Sequence, residues 1–226
     1  MSPAERVRNV RNQIHEASLR AARSPAAVQL VAVSKTFPIE AMRTVYDAGQ
    51  RHFGENYAQE FDKKAKAFAE QGCNDIVWHY IGRIQSNKIK YIAAHATYVH
   101  AVEKLSHARA LGAKAPRCIK VLVSVNIGRE ETKGGLMPED VVETCMQMHE
   151  VDNIEVCGLM CLPPASQDPE ETAPMFAEMA ALASEGRSRG VPLTELSMGM
   201  SNDFHVAIRH GATWVRVGRG IFGARG

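Results

Sequence analysis

Lys35 stands where an apolar run stops. In "LVAVSKTFP", Leu30–Pro38, four apolar residues lead into Ser34 and Lys35 before the chain turns at Thr36-Phe37-Pro38. An ammonium at the mouth of a core strand is costly unless it is paired, neutralised or put to chemical use. Half-buried surroundings favour the free amine, and a free lysine amine attacks aldehydes to form a Schiff base. The plainer alternative is a side chain that ends the strand and reaches into water.

A second chemical feature lies near the C-terminus. The stretches "SMGMSNDF" and "VRVGRGIFG" are polar and glycine-rich. Ser201 or Asn202 is expected to cap a helix beginning near Asp203, whose first amides would attract an anion. Gly218 and Gly220 let the backbone approach a bound group and offer further N–H donors, and Arg219 can add charge. Arg216 sits in the apolar run just before. It suits either a ligand's ring nitrogen or a buried ion pair. Ordinary turns and an ordinary cap are the structural alternative for both loops.

The elements that must position these residues follow from the pattern of apolar runs. A leading charged helix spans about residues 4–23. Eight strands are predicted at Gln29–Ser34, Arg51–Gly54, Val77–Ile81, Tyr98–Val102, Cys118–Val125, Glu155–Met160, Glu195–Met198 and Trp214–Val217. Between them lie amphipathic segments at Ile39–Ala48, Tyr57–Glu70, Gln85–Ala94, Lys104–Leu111, Pro138–His149, Pro169–Arg189 and Asn202–His210, and only a short tail follows the last strand. Repeated strand–helix units imply parallel strands with right-handed crossovers. Eight of them predict a single-domain (β/α)8 TIM barrel over residues 1–226, with an extra N-terminal helix. A doubly wound open sheet is the other architecture compatible with the pattern. "PPASQDP", Pro163–Pro169, reads as a loop rather than a domain boundary.

In a barrel the chemistry belongs at the C-terminal strand ends. Lys35, Asn56, His79, Arg83, Met200, Ser201, Gly218 and Arg219 all fall there. A formal net charge of +2, with no basic run carrying interleaved aromatics, argues against nucleic acid as a partner. The five cysteines are odd in number and scattered, which points to a reducing, cytoplasmic setting. Cys157 and Cys161 read as core thiols, and no metal site is expected. No apolar run has membrane length, and the charged N-terminus does not read as a signal peptide.

In a closed barrel strand one neighbours strand eight. A flat phosphorylated aldehyde could then bridge Lys35 and the glycine loops, and pyridoxal 5′-phosphate (PLP) is such a molecule. Arg216 at its ring nitrogen would keep that nitrogen unprotonated and the ring a weak electron sink. The motifs themselves resemble the pyridoxal phosphate homeostasis protein family along nearly the whole chain. They are "VAVSKTFP", "FGENYAQE", "WHYIGRIQSNK", "VNIGREETKGG", "GLMCLPP" and "LSMGMSNDF" with "VRVGRGIFG", in that order. The resemblance implies a barrel similar to that of alanine racemase, PLP held on Lys35, and phosphate contacts from Ser201, Gly218 and position 219. It also implies that Asn56, His79, Met200 and Arg216 line the cofactor, and that the protein carries and buffers PLP without established turnover. Three positions depart from the family pattern. Arg219 replaces a small hydroxyl residue, Arg83 a histidine, and Tyr80 a phenylalanine or methionine. Lys133, in a charged loop, is either a second amine at the rim or a solvated loop lysine.

The competing function is a PLP-dependent amino-acid racemase. It needs a second acid/base on the opposite face of the cofactor, supplied in the alanine type by a tyrosine of a further domain. No segment of this sequence supplies that domain, and Tyr57 is the one tyrosine near the rim. His79 could act as a base or as a hydrogen-bonded rim residue. A barrel aldolase with a Schiff-base lysine fits poorly, because that lysine belongs on a later strand. A monomeric PLP carrier is therefore expected, with apo PLP-dependent enzymes as candidate recipients.

Overall fold

The computed structural model describes residues 1–224. Eight parallel strands close into one barrel in sequence order. They are β1 (Gln29–Val33), β2 (His52–Glu55), β3 (Val77–Tyr80), β4 (Tyr98–Val102), β5 (Ile119–Val125), β6 (Ile154–Cys161), β7 (Glu195–Ser197) and β8 (Trp214–Val217). The helices are α1 (Pro3–Arg20), α2 (Ile39–Asp47), α3 (Ala58–Glu70), α4 (Ile89–His95), α5 (Leu105–Lys114), α6 (Pro138–His149), α7 (Ala173–Ser188), α8 (Phe204–Arg209) and α9 (Arg219–Phe222). Strands buried on both faces read as continuous apolar runs, which is why the pattern exposed them.

The seam that closes the barrel pairs β1 with β8, Val31 opposite Arg216 and Ala32 opposite Val217. The main core lies between the strands and the helical ring. A smaller cluster fills the barrel interior, built from Val31, Ala101, Leu122, Cys157, Met160 and Trp214. Cys157 and Cys161 are indeed buried free thiols of the core. The leading helix starts on a capping box in which Ser2 accepts from the Glu5 amide and Glu5 accepts from that of Ser2. It buries Val7, Val10 and Ile14 and packs against α2, α8 and α9, so it braces the two helices that follow the glycine loops.

Four expectations are corrected. The short tail after β8 holds a helix that the pattern did not show, α9, opened by Gly218. The leading helix stops at Arg20. The segment Gln85–Ala94 begins as a 3-10 turn, Ser86–Lys88, before α4. Pro169–Thr172 is likewise a 3-10 turn before α7, because prolines at 169 and 174 favour a broken entry.

Candidate functional site

A cavity of about 280 Å³ opens at the C-terminal end of the barrel. The seam register sets Val31 opposite Arg216 and Ala32 opposite Val217, so the chain past β1, with Lys35, and the loop past β8, with Gly218, leave the barrel at the same rim. Among its lining residues are Lys35, Asn56, Met200, Ser201, Arg216, Gly218 and Arg219, together with Asp203. Val33, Ile81 and Met160 form apolar wall, and Leu162, Pro163 and Pro164 flank the mouth. His79 is placed differently. It is fully buried inside the barrel and does not line the cavity.

Arg216 is buried and is one of the residues that line the cavity. Nη1 donates to Ser197 Oγ at 2.5 Å and Nη2 to the Cys161 carbonyl at 2.8 Å. Burial lowers its pKa, but a guanidinium stays charged and can only donate. Ser197 Oγ lies 2.8 Å from His100 Nδ1. His100 Nε2 lies 2.9 Å from His79 Nδ1, and His79 Nε2 lies 3.0 Å from His52 Nδ1. A hydrogen-bonded row thus runs from the cavity floor down the barrel axis. Tyr98 stacks on the His79 ring at 4.7 Å. Burial holds His79 and His100 well below the usual histidine range, and lowers His52 as well. His79 therefore touches the site only through His100, Ser197 and Arg216. Inward-facing histidines on three strands, 27 and 21 residues apart, were the available sequence signal for this row.

The two glycine loops meet at the cavity rim. Gly199 has φ +90°, and a Cβ there would lie 2.6 Å from Ala207 Cβ and 2.8 Å from Phe204 Cα. Only glycine fits that conformation and that space. The expected cap is corrected. Neither Ser201 nor Asn202 caps α8; both lie in the turn before it, and Asp203 occupies the N-cap position. Asp203 Oδ1 accepts from the Met200 amide at 2.6 Å, which closes the turn and leaves Ser201 on the cavity wall. Gly218 approaches β1 closely, since a Cβ there would stand 3.3 Å from the Val33 carbonyl oxygen.

Asn56 Oδ1 is buried without a hydrogen-bond partner at the cavity wall. The Tyr80 hydroxyl shares its one proton between the backbone carbonyls of Asn56, at 3.0 Å, and Arg83, at 3.2 Å. The tyrosine thus holds the loop that presents Asn56. Arg83 is exposed and lies 3.8 Å from Glu103. Lys133 pairs with Glu130 at 2.6 Å and is not among the lining residues. Sequence reasoning missed Asp203 as a wall residue, because an acid beside an anion-binding loop runs against the charge expected there. Among the described residues no group of three or more His, Cys, Asp or Glu is placed to hold a metal, and no helix is long and apolar enough to cross a membrane.

Chemically, the arrangement offers an amine, a donor-only cation and a carboxamide around a slot edged by backbone turns. Known proteins share the fold that carries it. Residues 8–226 match the family described as alanine racemase, N-terminal domain. The pyridoxal phosphate homeostasis protein of Aquifex aeolicus is 40% identical over 100% of this chain and 99% of its own length. That of Pseudomonas aeruginosa is 41% identical over 98% of this chain and 95% of its own length. Among solved structures, PipY of Synechococcus elongatus PCC 7942 with PLP bound superposes with a TM-score of 0.82, at 35% identity, over 98% of this chain and all of that one. By fold, by length and by sequence, this chain belongs to the pyridoxal phosphate homeostasis proteins of the alanine racemase N-terminal domain family.

Proposed function

We propose that the protein binds PLP in this cavity and carries and buffers it, with Lys35 as the covalent anchor. The observation that carries the reading is the seam. It sets the Lys35 strand beside the Arg216 strand and turns both onto the glycine loops. The residues present fit the cofactor. The orphaned Asn56 Oδ1 marks a wall built for a polar ligand. The amine, the guanidinium and the loop amides match an aldehyde, a ring nitrogen and a phosphate in kind and in order.

When bound, PLP supplies an electrophilic aldehyde and a ring that can accept electrons. Lys35 Nζ would be the covalent anchor for the aldehyde carbon. Arg216 can only donate and would face the ring nitrogen as a donor. Ser201, Gly218 and the Arg219 amide would hold the phosphate, and Asn56 and Met200 would flank the ring.

A carrying role rather than turnover is supported by the wall itself. Among the described lining residues, no histidine, tyrosine or cysteine stands opposite Lys35. The one acid, Asp203, is engaged by the Met200 amide. The setting we infer is the cytoplasm, with the protein a monomer that passes PLP to apo PLP-dependent enzymes and binds no nucleic acid. All five cysteines are free, as a reducing compartment requires. Borohydride reduction followed by peptide mapping tests the reading. Label on Lys35 supports it, and label elsewhere or none overturns it.

A further inference from the structure

One buried ion network holds both peptide groups that flank Lys35. The peptide before it ends in the Ser34 carbonyl, which accepts from Lys64 Nζ at 2.7 Å. The peptide after it carries the Thr36 N–H, which donates to Glu60 Oε1 at 2.7 Å. Lys64 Nζ also donates to Glu55 Oε1 at 2.8 Å and to Glu60 Oε1 at 2.6 Å. All three ammonium protons are used. Ser34 Oγ adds a bond to Glu55 Oε1 at 2.7 Å. Glu55 is fully buried and Lys64 nearly so.

Two features say that this network serves more than stability. First, a buried ion pair is a poor stabiliser. Replacing one by apolar side chains of similar volume is often neutral or favourable. Secondly, Thr36 has φ +66°. A β-branched residue in the left-handed region is strained and persists only where its surroundings over-determine it. Glu60 fixes the Thr36 N–H and Lys64 fixes the Ser34 carbonyl, so the turn cannot relax. The residue between them is the one that must aim an amine into the cavity.

We propose that Lys64, with Glu55 and Glu60, forms a positioning clamp for Lys35. The proposal rests on the reading of Lys35 as the covalent anchor. The clamp sets the direction of the Lys35 side chain and so the speed of aldehyde capture, while the glycine loops and Arg216 set non-covalent affinity. Misplacing a reacting group by about 1 Å costs on the order of 10²-fold in rate.

The test uses the full chain and two ligands. PLP reports capture through the imine absorbance. Pyridoxine 5′-phosphate has an alcohol in place of the aldehyde and reports the non-covalent grip alone. The double variant Lys64→Met/Glu55→Met removes the ions and keeps the volume. It is expected to fold and to bind pyridoxine 5′-phosphate within about 3-fold of wild type, while capturing PLP roughly 10²-fold more slowly. Glu60, at the edge of the network, provides a milder pair. Glu60→Gln keeps an acceptor for the Thr36 N–H and is expected to capture faster than Glu60→Ala. Wild-type capture rates in the folded double variant, equal losses for both ligands, or equal rates in the Glu60 pair would each overturn the clamp. Borohydride label on a residue other than Lys35 in wild type would instead overturn the reading beneath it.

Discussion

Ser197 stands between Arg216 and His100, taking a hydrogen bond from the guanidinium at 2.5 Å and lying 2.8 Å from His100 Nδ1. The guanidinium never accepts, so the serine oxygen is an acceptor on that side. Its proton then goes to His100 Nδ1, the neighbour that completes its pairing. That choice fixes His100 as the Nε2–H tautomer, and the same logic passes to His79 and His52. The opposite polarity would leave the Ser197 proton unpaired in the core. One cation at the cavity floor therefore orders three neutral rings below it.

Ser197→Ala breaks this row at its origin. It leaves His100 Nδ1 and one Arg216 N–H buried and unpaired. Such a loss costs about 1–3 kcal/mol, or a fall of roughly 2–4 °C in melting temperature per kcal/mol at this chain length. Thermal unfolding of the apo protein reads it. An unchanged Tm would mean that the row does not lock Arg216.

The neutral histidines also give stability a pH dependence of defined sign. Burial holds His79 and His100 well below their ordinary 6.5. As pH falls through 6.5 the unfolded chain takes up protons that the native state refuses, so their contribution is complete above that pH and is lost below it. Glu55 acts in the opposite direction, because burial raises its pKa, partly offset by Lys64 and Ser34. His52, lowered too, adds to the histidine side, and Glu55 can subtract at most one proton from the net uptake. At pH 5.5 unfolding is expected to take up about one proton for each of the two rings. Calorimetry in buffers of different ionisation enthalpy measures it, and His100→Asn should lower the uptake by about one. No drop would place the His100 proton elsewhere.

Much of this was legible in the sequence. β4, β8 and α6 match the apolar pattern to the residue, since parallel strands and amphipathic helices declare themselves by period. Lys35, Arg216 and the glycine loops were legible because strand ends and glycines carry meaning in a barrel. The clamp was not. Lys64 lies in "DKKAKAF", which reads as a solvated helix face, and its bond to Glu55 crosses from helix to strand without any local period. The helix α9 was missed because its four residues, Arg-Gly-Ile-Phe, follow directly on Gly218 and read as a turn.

The two loop glycines separate folding from binding. Gly199 combines φ +90° with contacts below 3 Å for any Cβ, so Gly199→Ala is expected to cost about 1–3 kcal/mol of stability. Gly218 has ordinary φ, and a Cβ there meets Val33 at tight but not impossible distance. Gly218→Val should therefore fold and lose PLP retention, as should a bulkier residue at Ser201. Melting curves and PLP content after dialysis decide it. Equal losses of both properties in Gly218→Val would make that loop merely structural.

Lys35→Ala and Lys133→Ala are expected to differ sharply. Lys35 lines the cavity, whereas Lys133 is held by Glu130 outside it. The first variant should lose the imine absorbance and keep weak PLP binding through Arg216 and the loops. The second should keep the absorbance. Survival of the band in Lys35→Ala would show that another amine closes the bond.

Racemisation needs a second acid/base facing the anchor lysine. Asp203 is the lone acid among the described wall residues, and its carboxylate is bound to the Met200 amide. Protein loaded with PLP and incubated with L-alanine should therefore give no sustained D-alanine by chiral chromatography. Turnover near the ~10 per second typical of enzymes would overturn the carrier reading. Asp203→Asn would then separate the two explanations for such activity, since a base at that position would lose it and an adventitious path through solvent would not.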